Sequence, residues 1–511
     1  MYIWMSQLRS LMIITMLSMG MVSLHSQDYT DLFPVDVITD VQPMTGMVYW
    51  ENSGQNNTDV ISLEISYMLF DHVVKDSGVY NWDEEESKLD AIASRHHQAI
   101  FRFRYVYPGY ETSVPDYILQ RDDYHETVGK SEGKDTHFPD WTNEELKRFS
   151  LEFYTRFAER YDHDPRLAFI QVGFGLWAEY HIYDGPFVLG QTFPGKAFQE
   201  EFFHHLDSTF QHIPWSISID AADDTYTPFV AKPELKNIHF GVFDDSFMHE
   251  HHSEWNEIEW NFFGRERYRL SPAGGEFSYY SSYDQAHVLD YPNGPYGTPF
   301  ETWAKNFHIT YMLANDQPQY QTDARIKEAS MAAGYRFKIV SLRTAADTSV
   351  FVVTNVGVAP IYYDAWFTVD GVRSGQSLKL LSPGDNVQFG VAAGAVDAEI
   401  TIESDKLVEG QEIQFYGTQQ LSGIGEITSH SELPGLPYPN PVHRGELIYL
   451  ESASVGANVK YDVYDSQGRL ALSGSSAPGL LAISTAQLDQ GIYLLKIRRN
   501  SGSSVNRFMI L

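Results

Sequence analysis

The chain has no cysteine among its 511 residues, and its basic residues are few. The first absence excludes disulfide bonds, a thiolate nucleophile and a cysteine-based zinc site. The second follows from 36 lysines and arginines against 68 aspartates and glutamates, a formal net charge of −32. Nucleic acids and anionic membrane surfaces are bound through positive side chains, so we predict neither as a partner.

Long apolar runs are also missing beyond the N-terminus. The apolar stretch at residues 11–24 follows Arg9, the first charged residue, and is shorter than the ~20 residues that a membrane span needs. We therefore predict that residues 1–26 are a secretory signal peptide and that the mature chain has no membrane span.

Strand-like and helix-like patterns alternate over the first two thirds of the chain. Eight strands with intervening helices predict an α/β fold, a (β/α)8 TIM barrel over residues 27–334. The predicted strands are Met47–Glu51, Ile61–Leu69, Ala99–Arg104, Leu167–Phe174, Pro214–Asp220, Asn237–Phe243, Tyr268–Glu276 and Phe307–Leu313. The clearest predicted helices are Asp83–His96, Asn143–Tyr161, Gly195–His212 and Asp323–Gly334.

The pattern changes after Gly334. Short alternating strands, separated by turns such as Val369–Val372, predict a β-sandwich over residues 335–416. Residues 417–436 are rich in glycine, serine and proline and are predicted to be a linker. Residues 437–511 are expected to form a third unit, a small β-sandwich.

The end of the chain carries four motifs in order: Tyr438–Val442 (YPNPV), Val463–Arg469 (VYDSQGR), Leu488–Leu495 (LDQGIYLL) and Arg507–Leu511 (RFMIL). Together they resemble the C-terminal sorting domain of the type IX secretion system of Bacteroidetes. The resemblance implies export through the periplasm and outer membrane, with the secretion machinery as a partner. Such domains are generally removed, so the protein is expected to be secreted or attached to the cell surface.

Two predicted barrel strands end in a lone glutamate. Glu179 closes the apolar run that begins at Ala168, and Glu276 ends the seventh strand. The carboxyl ends of all strands in a parallel barrel share one rim, so both side chains are expected there. A charge behind an apolar strand is costly unless it has a task or a partner. Two carboxyl groups facing each other are the catalytic groups of most glycoside hydrolases.

The neighbours of the two glutamates suggest their roles. Glu179 lies between Trp177 and His181, and an apolar wall raises a carboxyl pKa as a general acid needs. Glu276 is predicted to be the nucleophile, with two preceding glycines that let a substrate approach the backbone. The predicted substrate-binding residues are Trp50, Glu51, Arg104, Trp177, His181, Asp220 and Asp244. Arg102 and Arg104 share a face, and they position the glutamates, bind a sulfate or carboxylate on the sugar, or brace the barrel by an ion pair.

Residues 164–181, DPRLAFIQVGFGLWAEYH, resemble a motif of a bacterial family of glycoside-hydrolase-like barrels. In that family a Gly-Phe-Trp-Gly-Glu-Trp-His type motif closes the fourth strand. Glu179 and His181 match it, and Ala178 stands where the motif has glycine. The resemblance covers about residues 40–420 and implies the barrel fold. Larger retaining glycosidase families usually have asparagine before the first glutamate, and Ala178 departs from that pattern too.

The combined prediction is a secreted glycoside hydrolase that acts on a poly- or oligosaccharide with two carboxyl groups. A surface carbohydrate-binding protein without turnover is the alternative, and a polysaccharide lyase with His181 or a tyrosine as base is a third. No cofactor is predicted. No metal site is predicted either, because adjacent histidines such as those of His249–His252 seldom complete a metal's coordination shell.

Overall fold

The computed structural model describes residues 29–34, 36–418, 442, 444–445, 447–451, 459–465, 469–476, 480–499 and 502–510. They fall into two compact units, Met1–Gln420 and Leu421–Leu511. The predicted signal peptide and nearly all of the predicted linker lie outside the described residues.

Eight parallel strands close into a barrel in the first unit. In chain order they are Gly46–Trp50, Leu63–Leu69, Gln98–Arg104, Leu167–Val172, Trp215–Ser218, Gly241–Phe247, Ala273–Phe277 and Tyr311–Leu313. Each strand pairs in parallel with the strands before and after it. The eighth strand closes the barrel onto the first, where Met312 lies opposite Met47. The predicted TIM barrel is confirmed.

Helices pack around the barrel. They are Phe70–Val73, Asp83–Ala93, Asp116–Leu119, Glu144–Tyr161, Lys196–Thr209, Asn256–Phe263, Ser282–His287, Phe300–Phe307 and Asp323–Ala332. In Glu144–Tyr161 the phenylalanines recur every four residues, so Phe149, Phe153 and Phe157 share one buried face. This helix begins at Asn143, whose side-chain oxygen accepts a hydrogen bond from Leu146 N at 3.0 Å.

The last three barrel strands begin four or five residues later than their apolar patterns predict. The sixth starts at Gly241, because residues 233–237 form a 3-10 helix. The seventh starts at Ala273, since Pro272 has no N–H to contribute to a strand ladder. The eighth starts at Tyr311, after the helix Phe300–Phe307. Turns and helix ends around a barrel are buried too, so an apolar run alone does not mark where a strand begins.

Two sheets follow the barrel. One runs in the order Thr30–Leu32, Phe337–Thr344, Ser349–Asn355 and Asn386–Val391, with Phe415–Tyr416 paired in parallel to Phe337–Thr344. The other runs in the order Val372–Arg373, Trp366–Val369 and Ile400–Glu403. The rings of Phe351 and Phe389 lie 5.4 and 5.8 Å from Phe367, so the two sheets share an aromatic core. The N-terminal strand Thr30–Leu32 belongs to the first of these sheets, although its residues fall within the range predicted for the barrel.

These sheets cover the end of the barrel where the strands begin. Gln98, the first residue of the third strand, donates to the Lys406 carbonyl at 2.6 Å. Lys406 Nζ donates to the carbonyl of Asp164, just before the fourth strand, at 2.9 Å. The Tyr362 hydroxyl donates to the Tyr268 carbonyl, before the seventh strand, at 2.6 Å. The opposite rim, where the strands end, is therefore the one free to form a site.

The second unit is built from β-strands. Leu447–Glu451 pairs with Leu480–Ser484, and a second antiparallel sheet has the order Leu470–Ser476, Val459–Asp465, Gly491–Arg499 and Gly502–Ile510. Ile448, Val463 and Leu495 lie in its core with at most 1% exposure.

Candidate active site

A cleft of about 990 Å³ opens at the rim where the strands end. It is lined by Trp50, Tyr67, Arg102, Tyr107, Glu132, Trp177, Glu179, His181, Tyr183, Asp220, Asp245, Ser246, Trp255, Asn256, Glu259, Glu276, Tyr279 and Tyr280. The volume is at the upper end of what small-ligand sites usually have. Both predicted catalytic glutamates line it, together with Trp50, Trp177, His181 and Asp220 from the predicted substrate-binding set.

Glu179 is held by a tight loop after the fourth strand, which ends at Val172. Gly175 N donates to the Glu179 carbonyl at 2.7 Å, and Glu179 N donates to the Leu176 carbonyl at 2.9 Å. A Cβ on Gly175 would lie 2.0 Å from the His181 carbonyl oxygen, so only glycine allows the loop to fold back this closely. The loop turns through two residues with positive φ, Trp177 at 53° and Ala178 at 66°.

Glu276 lies on the seventh strand behind two glycines whose role differs from the predicted one. A Cβ on Gly274 would lie 2.3 Å from the Tyr311 ring, and one on Gly275 would lie 2.3 Å from the Asp244 carbonyl oxygen. The glycines therefore make room for the protein's own neighbouring strands. They do not open the backbone to a substrate.

Arg102 lies between the two glutamates. It is 1% exposed, and its Nη1 is 2.9 Å from Glu276 Oε1 and 3.8 Å from Glu179 Oε1. Its Nε donates to Gln171 Oε1 at 2.5 Å, and its guanidinium lies 4.8 Å from the centre of the Phe243 ring. Burial acts to lower the pKa of Arg102, but the two glutamates and Tyr67 outweigh burial, so the pKa is raised.

The surroundings of Glu179 favour its protonated form. The side chain is 2% exposed, and its Oε2 has no hydrogen-bond partner among the described residues. Burial raises the pKa of Glu179 well above its ordinary value, and Asp245 raises it further. Glu276 instead forms a direct ion pair with Arg102. The two carboxyl groups thus meet one guanidinium at different distances and in different surroundings.

His181 and Asp220 form an ion pair beside Glu179. His181 Nδ1 is 2.9 Å from Asp220 Oδ1, and its Nε2 is 3.6 Å from Glu179 Oε2. Burial acts to lower the pKa of His181, but Asp220 outweighs burial and raises the pKa to about 10. Burial opposes ionisation of Asp220, yet His181 lowers its pKa. The pair therefore carries a positive imidazolium and a carboxylate at neutral pH.

Asp220, Asp245 and Glu259 line one side of the cleft, which we call the acidic wall. Asp220 follows the fifth strand, and Asp245 lies two residues before the end of the sixth strand. Glu259 belongs to the helix Asn256–Phe263. Burial and the nearby Asp220 raise the pKa of Asp245 to about 8. Burial and the same aspartate raise the pKa of Glu259 to about 9. The acidic wall therefore brings carboxyl groups close together without enough positively charged side chains to pair with them.

An aromatic wall comes from the other half of the barrel, where the first four strands end. It consists of Trp50, Tyr67, Tyr107, Trp177 and Tyr183. The rings of Trp50 and Tyr67 lie 5.0 Å apart, and those of Trp177 and Tyr183 stack at 5.7 Å with an interplanar angle of 12°. Tyr183 is 61% exposed. Exposed ring faces of this kind offer flat apolar surfaces to a ligand.

Three residues predicted to bind substrate do not line the cleft. Glu51 lies in a turn and accepts a hydrogen bond from Ser66 Oγ at 3.2 Å. Arg104 lies against the rings of Tyr67 and Tyr107, at 5.1 and 4.7 Å from their centres. Asp244 is fully buried behind the cleft, where its side chain accepts hydrogen bonds from Asn256 Nδ2 at 2.7 Å and Trp260 Nε1 at 3.0 Å and lies 2.9 Å from His252 Nε2.

The same strand contributes Asp245, the neighbour of the predicted Asp244, to the cleft instead. Successive side chains of a strand point to opposite faces. The side chain of Asp244 points away from the cleft, so the side chain of Asp245 points into it. Phe243, two residues earlier, packs under Arg102 inside the barrel and is the signal that could have identified Asp245. Glu259 gave no comparable signal, because it belongs to a helix between strands and its direction depends on how that helix packs.

Two groups of side chains in the described residues have a metal-like arrangement. The donor atoms of Glu179, His181, Asp220 and Asp245 lie within 4.8 Å of one another in the cleft, and those of Asp162, His163 and His212 do so elsewhere. In the first group the imidazolium of His181 already supplies a positive charge. The predicted loop His249–His252 is in neither group. Its His252 pairs with Asp244, and His249 Nε2 is 2.9 Å from Asn256 Oδ1.

Comparison with solved structures finds distant likenesses. The protein named CbXyn10B is 11% identical over 52% of this chain and 82% of its own, with a TM-score of 0.33. A β-galactosidase from the psychrophilic Marinomonas ef1 is 12% identical over 56% of this chain and 58% of its own, with a TM-score of 0.33. The GH36 α-galactosidase AgaA from Geobacillus stearothermophilus is 9% identical over 69% of this chain and 55% of its own, with a TM-score of 0.32. Among curated proteins, none matches the chain.

The C-terminal unit has a specific match. Residues 437–511 match the model of the secretion system C-terminal sorting domain. PorZ, a surface component of the type IX secretion system of Porphyromonas gingivalis, is 19% identical over 15% of this chain and 11% of its own, with a TM-score of 0.13. No helix in the described part of the chain has the length and apolar character to cross a membrane. The protein is thus a secreted or cell-surface protein with a TIM barrel and a type IX sorting domain, and its barrel has only distant structural similarity to glycoside hydrolases.

Proposed function

We propose that the barrel hydrolyses glycosidic bonds of a poly- or oligosaccharide, with Glu179 as general acid and base and Glu276 as nucleophile. The observation that carries this proposal is the convergence of the two carboxyl groups on Arg102 Nη1, at 3.8 and 2.9 Å. Carboxyl groups whose surroundings differ this much are typical of an acid and a nucleophile that share one substrate bond.

The separation of the carboxyl groups favours a retaining reaction. The two Oε1 atoms cannot be farther apart than the sum of their distances to Arg102 Nη1, 2.9 and 3.8 Å. Retaining pairs are roughly 5–5.5 Å apart and inverting pairs roughly 6.5–9.5 Å, which leaves room for a water. An inverting spacing would require the three atoms to lie almost in line, whereas a retaining spacing needs no such constraint.

The reaction would proceed in two steps. Glu276 attacks the anomeric carbon while Glu179 gives its proton to the departing glycosidic oxygen, so a sugar ester on Glu276 forms as the bond breaks. Glu179, now a carboxylate, then takes a proton from a water that attacks the same carbon and releases Glu276. His181, 3.6 Å from Glu179 Oε2, stabilises the carboxylate form between the two steps.

The aromatic wall supports a carbohydrate as the ligand. Sugar rings present C–H faces, and Trp177 and Tyr183 offer a stacked pair of rings beside Glu179. Trp255 and Tyr280 extend this surface at the other side of the cleft, with exposures of 57% and 71%. Exposed aromatic side chains at both sides favour a substrate that extends beyond the two sugars joined by the scissile bond.

The test varies the leaving group. In Glu179→Gln, kcat/KM should fall ~10²–10⁴-fold for a natural glycan, whose departing oxygen needs a proton. It should fall far less for a 2,4-dinitrophenyl glycoside, which leaves without one. Glu276→Gln should lose both activities, because the nucleophile is needed for either substrate. Nuclear magnetic resonance of the first product should show a retained anomeric configuration.

The matched control is Glu254→Gln, an exposed acid beyond the cleft lining. It should keep the activity of the unchanged protein. If the unchanged protein hydrolyses no glycan and both cleft variants still bind glycans, the protein is a carbohydrate-binding protein. An ultraviolet-absorbing unsaturated product would instead identify a lyase.

A further inference from the structure

The cleft has more carboxyl groups than the protein has cations to pair with them. The acidic residues of the cleft are Glu132, Glu179, Asp220, Asp245, Glu259 and Glu276, and the basic ones are Arg102 and His181. Arg102 is engaged by Glu276 at 2.9 Å and His181 by Asp220 at 2.9 Å. Asp245 and Glu259 have no basic partner among the described residues. Ser246 Oγ donates to Asp245 at 3.2 Å.

Buried oxygen atoms beside this wall also lack partners. Glu179 Oε2 and Asp220 Oδ2 have no hydrogen bond in the described part of the chain. Glu179 is 2% exposed, and its donor atom lies within 4.8 Å of those of Asp220 and Asp245. A buried oxygen without a donor is costly, so these two atoms point to a ligand that brings positive charge and several N–H groups.

We propose that the acidic wall binds the protonated amino group of a hexosamine unit, which makes the substrate a glycan with free amines. The inference rests on the proposed glycosidase function and names its substrate class. An ammonium group has three donors and one positive charge, which suit the unpartnered carboxyl oxygens. The aromatic wall across the cleft would then hold the C–H face of the same sugar or its neighbour.

Charge also argues against other sugars. A sulfate or uronate group would meet Asp245 and Glu259, and the nearby Arg102, although its Nη2 has no hydrogen-bond partner among the described residues, is already paired with Glu276. A neutral hydroxyl would give these carboxyl groups no positively charged partner. The net charge of −32 would in addition attract a polycationic glycan over longer distances.

A divalent cation is the competing occupant, and His181 argues against it. Its Nδ1 faces Asp220 at 2.9 Å and its Nε2 faces Glu179 at 3.6 Å. Nδ1 therefore donates an N–H to the Asp220 carboxylate, and an imidazolium ring has no lone pair to offer a metal at Nε2. The raised pKa of His181, about 10, supports the same conclusion.

Binding by the full chain tests this inference without any turnover. Titration of glucosamine against glucose, and of galactosamine against galactose, compares an amine with a hydroxyl at one carbon. We expect at least one amine to bind about tenfold more tightly than its neutral partner, and N-acetylation to remove the gain. Equal binding within both pairs, or no binding of either amine at high millimolar concentration, would overturn the inference.

Variants assign the preference to the wall. Asp245→Asn with Glu259→Gln should bring the amine and the hydroxyl to equal affinity. Glu257→Gln, on the same helix but paired with Arg265, should leave the preference intact. A double variant that keeps the preference would exclude the wall, and tight binding of Mn²⁺, Ca²⁺ or Zn²⁺ alone that is lost in the double variant would identify a metal site instead. The wild-type comparison stands even if the double variant fails to fold.

The two proposals fail separately. An amine preference without hydrolysis would end the proposed function and leave an amino-sugar binding site. Hydrolysis of neutral glycans without any amine preference would leave the enzyme and end the inference.

Discussion

Glu64 and Glu179 are both buried in the same barrel, with exposures of 0% and 2%, but their surroundings differ. Glu64 receives Arg95 Nε and Nη2 at 2.8 and 2.6 Å, and Asn56 Nδ2 at 2.5 Å. His97 Nδ1 is 2.8 Å from it as well. Glu179 has Arg102 no closer than 3.8 Å and one oxygen without a partner.

The comparison separates a carboxyl group whose hydrogen bonds the fold supplies from one that the fold leaves without close donors. Burial and residue type are the same, so neither distinguishes them. The number of hydrogen-bond donors distinguishes them. A buried carboxylate with all its donors is stable in place, whereas a buried carboxylate without them destabilises the fold. Sites for ligands are where such unpaired groups are expected.

Stability measurements should separate the two glutamates most strongly. Glu64→Gln leaves Arg95 and His97 without their carboxylate and should lower the unfolding free energy of the barrel by about 3 kcal/mol, as for other broken buried ion pairs. Glu179→Gln removes a group that has no close donor, so it should leave stability unchanged or raise it. Denaturant unfolding followed by tryptophan fluorescence measures both. Equal losses in the two variants would show that the difference in donors has no energetic meaning.

The pH dependence of stability should sharpen the same contrast at a smaller size. Glu179, Asp245 and Glu259 have raised pKa values in the folded chain, about 8 for Asp245 and about 9 for Glu259, so the folded state holds more protons than the unfolded one above pH 4. The unfolding free energy should therefore fall as the pH rises from 5 to 9.

Other charged groups at the cleft do not reverse this direction. The raised pKa of His181, about 10, adds stability that is also lost as the pH rises. The lowered pKa of Asp220 adds stability that is lost only in acid, outside this range. Melting temperatures of the unchanged protein and of Asp245→Asn with Glu259→Gln measure the effect, and the double variant should show the flatter profile. A rise in stability toward pH 9 would contradict the assigned burial of these acids.

The barrel could be predicted because its strands are buried on both faces. Each predicted strand overlaps an observed one, since a parallel barrel strand is a nearly continuous apolar run. The starts were harder to predict, as at Tyr311, where the apolar run begins inside a helix that is buried equally well.

The candidate site was predictable only where it depends on strand ends. Because all strands of a parallel barrel end at one rim, the sequence alone predicts that Glu179 and Glu276 lie close together. The predicted set names Asp244, whereas Asp245 lines the cleft, because a shift of one residue exchanges the faces of a strand and Phe243 is the one sequence signal for that register. Glu259 required knowledge of how a helix packs, which depends on contacts distant in the sequence.

The smallest expected effect concerns the loop that holds Glu179. Ala178 has a φ of 66°, a left-handed conformation that costs an L-residue about 1–2 kcal/mol, and it stands where the resembling motif has glycine. Ala178→Gly should relieve that strain and, after the greater entropy of glycine in the unfolded chain, raise the unfolding free energy by about 0.5–1 kcal/mol.

Ala91→Gly is the matched control for this last change. Ala91 lies exposed within the helix Asp83–Ala93, where glycine should lower stability by about 1 kcal/mol. Opposite signs for the two alanine-to-glycine variants, with kcat/KM unaltered in both, would mean that the loop already has the glycine-like turn. In that case the backbone conformation of this loop holds Glu179 at its distance from Arg102. A loss of stability in Ala178→Gly as large as in Ala91→Gly would mean that the left-handed turn is absent in solution. The loop would then not explain why Glu179 lacks close hydrogen-bond donors.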